Sequence, residues 1–496
     1  MQALIAARLD TLSPDRKSLL QDAAVLGKVF WASALAEIGG RGSTEVELAL
    51  HELARKELVR PARTTSMEGE REYSFWHLLV RDVAYSQIPR AERARRHRGA
   101  AVWIERKAGE RVEDLAEVLA HHYLQALELV RAAGAAKEGA ELELAARRFL
   151  VLAGDRALGL DAERAASYCA GALELLPRGQ PNRVEVLAKA GEAAFLADRP
   201  EARPRYEEAI AEFQAEGNPL GEGKALVRLS EVRWFQGETR EAWTLLGEAV
   251  ELLERERPGP ELAHVYSQIA REHMMSVDAN EALMWSEKAL RLAEELDLGV
   301  ETVRARQFRG MARGYLGDLG GVQDLREALR LSLDLGLGLE TVRVHINLGE
   351  PVWFDEGPAQ ALKVWRSGID FGDRRGIVSL VRWARAQTLW ALFDLGEWEE
   401  LLRTADELIS WEHEHGQSYV GGLALPYKAH VLVRRGAVDE AAALAEELVS
   451  RARSIDDPQV RAPALAVAAL LEHARGRGSA AVSLVEELDQ TTRDPF

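Results

Sequence analysis

Residues 224–254 read KALVRLSEVRWFQGETREAWTLLGEAVELLE. Apolar residues recur at helical spacing up to Phe235, QGET makes a tight turn, and a second helical pattern starts near Arg240. Ala242 and Ala249 share one face of that second helix. Two antiparallel helices approach closely only where side chains are small, so the stretch predicts a helical hairpin. Neither helix can bury its apolar stripe alone, so each hairpin must stack on another.

The same unit recurs along the chain. Small or aliphatic residues stand at Ala202, Ala242, Ala282, Val322, Ala361, Leu401, Ala441 and Ala481, in steps of 39 or 40. A turn glycine lies five residues before most of them, at Gly237, Gly317, Gly396, Gly436 and Gly476. The connecting segments repeat too: DLGVETVRAR (297–306) resembles GLGLETVRVH (336–345). A fixed period of this length predicts a stacked array, here about eight hairpins with a degenerate one around 145–176. The expected class is all-α: a right-handed α-solenoid superhelix of roughly 40-residue repeats. Such arrays hold partners on an extended concave surface, which argues against catalysis.

Charge is unevenly distributed. The chain carries −17 overall, yet residues 1–111 hold 19 basic and 15 acidic residues and are net positive. The acidic remainder is a poor match for phosphate-bearing nucleic acid. The single cysteine, Cys169, forbids an intramolecular disulfide and reads as a small buried helix residue. No segment has the run of roughly 18 apolar residues that a membrane span needs, and the first residues are too charged for a signal peptide. A cytoplasmic protein is expected.

Residues 1–88 follow a different pattern. Ser13 and Pro14 open a helix that Gly27 closes; WASALAEIGG reads as a second helix; a third begins at Ser43 or Thr44. The stretch 61–76, with Tyr73 and Phe75 alternating, suits two short strands around a polar turn. Three helices and a β-hairpin outline a winged-helix domain. Residues 89–144 then read as a helical linker and 145–496 as the repeats.

The spacing of Gly237, Ala242 and Ala249 resembles the tetratricopeptide repeat, lengthened from its usual 34 residues by nearly one turn per helix. Longer units of this kind resemble the sensor domains of bacterial STAND-type regulators, where the superhelix receives an inducing ligand. FWHLLVRDVAY (75–85) is similar to the Met-His-Asp stretch of STAND and NB-ARC ATPases. That resemblance implies that His77 contacts the β-phosphate of ADP, although Leu78 replaces the motif's aspartate. Residues 1–125 as a whole look like the winged-helix and linker portion of cyclase–ATPase–tetratricopeptide regulators. The nearest approach to a phosphate loop, GNPLGEGKA (217–225), lacks Gly at Asn218 and Ser or Thr at Ala225. The resemblance therefore implies a non-catalytic portion of such a regulator: no cofactor of its own, with ADP or ATP reached through a partner P-loop ATPase. The alternatives are a fragment of an ATP-binding cyclase or transcriptional regulator, and a pure assembly scaffold.

In tetratricopeptide arrays the first helix of each hairpin lines the groove. Registering each hairpin by its marker gives Lys224, Glu231, His264, Arg271, Arg304, Gln307, Arg343, Glu350, Trp383 and Trp390 as groove residues. Cationic and indole side chains suit an acidic peptide end or a small polar ligand; a solvated face is the alternative for each. The run Arg90, Arg93, Arg95, Arg96, His97 and Arg98 reads as a solvated or interdomain face. His413 with His415, and the adjacent His121 and His122, diverge on a helix and are expected to bind no metal.

Overall fold

The computed structural model describes residues 2–67, 69–416, 418–454 and 458–493. Its backbone contacts divide the chain into two compact units, residues 1–156 with 167–180, and residues 157–166 with 181–496.

The first unit opens with α1 (Gln2–Asp10), α2 (Pro14–Leu26), β1 (Val29–Trp31), α3 (Ala32–Gly39), α4 (Ser43–Arg55), β2 (Val59–Pro61) and β3 (Glu72–Phe75). The Ser13 hydroxyl accepts from the Arg16 amide to cap α2, Pro14 takes the first helical position, and Gly27 ends the helix at φ 127°. The expected side-chain cap on α4 is absent: Gly42 holds the cap position and Ser43 is already helical. The strands β2 and β3 gain an unanticipated neighbour, β1, in an antiparallel sheet of order β1-β3-β2. Three residues are too few to show a period of two. What holds β1 is Phe30, fully buried, with ring centres 6.2 Å from Tyr73 and 5.3 Å from Phe75.

Helices α5 (Leu78–Ser86), α6 (Arg90–Ala108), α7 (Ala116–Ala132), α8 (Ala136–Leu158) and α9 (Ala162–Glu174) follow, with a 3-10 segment at Gly109–Leu115. Helix α6 packs on α2 and α3. Its basic run is largely consumed inside the unit. Arg96 is buried and sits 3.0 Å from the buried Asp22, which Arg41 also contacts at 2.6 Å. Arg98 reaches Glu138 and Glu141 at 3.2 and 3.1 Å. Burying an acid this deeply is tolerated only because two guanidiniums meet it. Cys169 is buried, packed against Gly154.

The second unit is a tetratricopeptide-like α-solenoid. Its hairpins pair α10 (Arg183–Leu196) with α11 (Ala202–Glu216), α12 (Pro219–Phe235) with α13 (Thr239–Leu253), α14 (Pro260–Met275) with α15 (Ala279–Glu295), and α16 (Gly299–Tyr315) with α17 (Gly320–Asp334). They continue as α18 (Gly338–Glu356) with α19 (Pro358–Asp373), and α20 (Val378–Leu395) with α21 (Trp398–His415). Helix α22 (Tyr419–Arg434) pairs with the broken α23 (Val438–Ala442) and α24 (Ala445–Ser454), and α25 (Pro458–Ala474) with α26 (Gly478–Arg493). All eight marker residues from Ala202 to Ala481 are buried. No helix among the described residues is long and apolar enough to cross a membrane.

First helices pack on first helices along the array, and α10 meets α20 while α12 meets α22, five hairpins further on. The inner surfaces of the array therefore face one another across its axis.

Each hairpin turn needs one residue in the left-handed region. Gly237, Gly317, Gly357, Gly396, Gly436 and Gly476 supply it, with φ between 74° and 92°. In two turns another residue does so: Asp198 at φ 57° and Val277 at φ 63°. A β-branched residue there is sterically disfavoured. Val277 is 55% exposed, so its side chain contributes little packing in return. Val277→Gly should raise stability by about 1 kcal/mol in urea denaturation; an unchanged or lower midpoint would contradict this account of the turn.

Candidate functional site

The inner helices carry a buried ionic network. Glu231 on α12, 1% exposed, pairs with Arg343 on α18, 112 residues away and 5% exposed. Its other oxygen lies 3.3 Å from Arg228, which reaches Glu192 at 3.4 Å. Arg343 stands 3.6 Å from Glu340, Glu340 bonds Arg304 at 2.7 Å, and Arg304 bonds Glu301 at 2.6 Å. Gln307 donates to Glu340 at 3.2 Å and accepts from Asn347 at 3.2 Å.

Burial alone would raise every carboxyl here, and the guanidiniums decide otherwise for two of them. Burial pushes Glu340 up, but Arg304 and Arg343 overcome it and hold the group down at about 2. Glu231 is likewise lowered against burial by Arg343, Arg228 and Arg271. Burial pushes Glu272 up to about 7, with Glu231 adding to the rise and Arg271 opposing it. His264, buried and surrounded by Arg304, Arg228, Arg343 and Lys224, is driven well below its usual range and is neutral.

Six of the ten groove residues expected from the sequence thus converge: Glu231, His264, Arg271, Arg304, Gln307 and Arg343. They are buried or nearly so, where the alternative was a solvated face. Trp383 is 7% exposed and packs edge-on against Trp234 at 5.4 Å, while Arg271 lies 4.2 Å over the Trp234 ring. Lys224 is exposed at the rim. Glu350 and Trp390 belong to a separate, partly open cluster: Tyr315 donates to Glu350 at 2.6 Å, and Trp390 lies 6.4 Å from Trp353.

Sequence reasoning missed Arg228, Glu301 and Glu340. The signal was present, because each lies three or four residues from a chosen position on the same helix face. It also missed a second link across the axis, where Asp198 contacts Arg382 at 2.6 Å. Arg382 lies 3.4 Å over the Trp411 ring, and Trp411 stacks on His415 at 4.8 Å. His415 is held there by its Nδ1–H, which donates to the Trp411 carbonyl at 2.8 Å. Burial raises the Asp198 carboxyl against the pull of Arg382. Around this group opens a cleft of about 360 Å³, lined also by Arg199, Arg203, Phe195 and Phe235.

In the first unit His77 stands at the N-cap position of α5 without a side-chain capping bond and is exposed, between Trp76 at 49% and Leu78 at 50% exposure. GNPLGEGKA forms a helix start: Asn218 caps α12 by accepting from the Gly221 amide at 2.9 Å, and Gly221 and Gly223 make room for Phe213 and Leu253. His121 and His122, dismissed as diverging neighbours, are joined by His97 of α6, with all three ring nitrogens used within 4.8 Å of one another.

No protein-family model and no curated protein sequence matches the chain. Among solved structures it is similar to a STAND (signal transduction ATPase with numerous domains) protein with a tetratricopeptide repeat sensor from Pyrococcus horikoshii. That match has 13% identity and a TM-score of 0.40, over 99% of this chain and 65% of the other. The chain thus spans slightly less than two thirds of the archaeal protein. It is also similar to a Rap protein complexed with competence and sporulation factor (12% identity, TM-score 0.45, 72% of this chain and 98% of the other). Yeast Tom70 matches at 15% identity and TM-score 0.39, over 80% and 88% of the two chains. Likenesses this distant say nothing of what this chain binds.

Glu231→Gln leaves buried guanidiniums one anion short and should cost about 3–5 kcal/mol in urea unfolding. Adding Arg343→Met should recover part of that loss. Strict additivity in the double-mutant cycle would show that the pair across the axis is not coupled.

Proposed function

We propose that the solenoid is a ligand- or protein-binding sensor, non-catalytic by itself, whose inner surface is held closed by ion pairs that an anionic ligand displaces. The observation that supports this most directly is the Asp198–Arg382 pair at the edge of the 360 Å³ cleft. Arg382 is already stacked on Trp411, so it presents a fixed guanidinium to a carboxylate or phosphate. Arg199, paired with Glu163, and Arg203, paired with Glu207 and Glu238, line the same cleft and can exchange those partners for a ligand's acidic group, and Phe195 and Phe235 add apolar wall. A ligand with an acidic group and an apolar body, such as a peptide end or a small polar metabolite, satisfies both features. By competing with Asp198 for Arg382 it biases the closure between α10 and α20.

Residues 1–88, on this reading, are a winged-helix domain that carries the event to a P-loop ATPase of the STAND type. The exposed Trp76-His77-Leu78 stretch is the docking face, and His77 meets ADP there. Activity in the cytoplasm is part of the same reading.

Two experiments test the two halves. A thermal-shift screen of dicarboxylates, phosphorylated metabolites and free C-terminal peptides should find ligands that raise the melting midpoint, and Arg382→Ala should abolish the rise. A ligand whose effect survives Arg382→Ala binds elsewhere. Affinity capture from native lysate, with and without ADP, should recover a P-loop ATPase in an ADP-dependent manner that His77→Ala weakens. Recovery indifferent to both ADP and His77→Ala would make the chain an assembly scaffold with no nucleotide link.

A further inference from the structure

The first unit contains a second site that neither the groove nor His77 explains. His97 on α6 and His122 on α7 are 2% and 1% exposed, and His121 beside them is exposed. The Nδ1 atoms of His97 and His122 face each other at 2.9 Å, and the other His97 nitrogen, Nε2, lies 2.9 Å from the Tyr85 hydroxyl. The three ring centres are 5.2, 5.4 and 5.9 Å apart.

We propose that His97, His121 and His122 form a three-imidazole site for a borderline divalent transition-metal ion, Zn2+ being the natural probe. The spacing fits. Imidazole nitrogens about 2.1 Å from a tetrahedral ion are about 3.4 Å from one another, with ring centres about 5 Å apart. Two ring nitrogens turned toward each other in a buried place need either a shared proton or a cation beside both. The Tyr85 hydroxyl is placed to accept from His97 Nε2–H, which leaves Nδ1 with its lone pair free for a metal; this is the outer-shell arrangement that orients ligating histidines. Three protein nitrogens leave the fourth position for water or an exchangeable ligand on the exposed His121 side.

The surrounding charges select the ion. Arg81 and Arg93 approach the cluster and Glu128 is the carboxylate near it. Burial and these guanidiniums keep the imidazoles neutral, which is the form that binds metal. They also repel a dication, so hard ions that bind chiefly through charge, Mg2+ and Ca2+, are disfavoured against ions with real affinity for nitrogen.

The test uses the untagged, metal-stripped full chain. Zn2+ titration by calorimetry should show one equivalent bound, and Co2+ should give the intense visible absorption of a tetrahedral centre. His121 is exposed, so His121→Ala should leave the metal-free melting midpoint unchanged while weakening Zn2+ binding at least about tenfold. Tyr85→Phe should keep the stoichiometry and weaken binding by about the same factor, as expected of a positioning residue. Absence of Zn2+ binding, a weak octahedral Co2+ spectrum, or affinity unchanged in His121→Ala would each overturn the proposal and leave a hydrogen-bonded histidine cluster.

Discussion

A carboxylate taken out of water has to be met by a cation, and in this solenoid the cation that meets Glu231 comes from three hairpins away. The Glu231–Arg343 contact fixes how tightly the array curls, because α12 and α18 can satisfy it only when their inner faces are brought together. Arg228, Glu340 and Arg304 then extend the pairing along and between helices. Such a network is a poor device for stability alone, since apolar residues of similar volume often do as well or better. It is a good device for a unique closed arrangement that can be undone. Each link across the axis is a pair whose members sit on different hairpins, and a competing charge can separate them without unfolding either hairpin.

The curl is possible only because the hairpins are uniform. Small residues at the marker positions let paired helices approach, and at Gly310 the approach is so close that a side chain would meet the Gly321 carbonyl at 2.8 Å. Turn residues recur every 39 or 40 positions, at 198, 237, 277, 317, 357, 396, 436 and 476, and all have positive φ. One of the two departures from glycine, at Asp198, coincides with function on our reading. A glycine there would relax the turn but remove the partner of Arg382.

Most of this fold was legible from the period of the small residues and glycines, because backbone geometry imposes both. The groove was legible in part. Helical registration picked Glu231, Arg304 and Arg343, since one face of a helix is a local property. It did not reveal that they are buried, because burial depends on the number of hairpins per turn, which no single repeat encodes. Asp198 went unseen for the same reason: Arg382 and Trp411 meet within one hairpin, but Asp198 joins them only when the superhelix closes. Strand β1 was lost to its length, and the histidine cluster to the assumption that ligands must lie near one another in sequence.

The two units handle polar groups in contrasting ways, and the contrast bears on what each is for. In the first unit, the buried acid Asp22 is met by Arg96 and Arg41, both within the unit. On its surface Trp76 and Leu78 are half exposed, with His77 between them. A single exposed indole means little by itself. On our reading, an indole, an imidazole and a leucine in succession at the start of a helix are the face that meets a partner. In the second unit the interior itself holds the ion pairs that, on our reading, a ligand exchanges, and the surface cleft opens beside one of them. If the chain is the sensor we propose, it uses both kinds of construction: an inside that a ligand rearranges, and a face through which another protein reads the result.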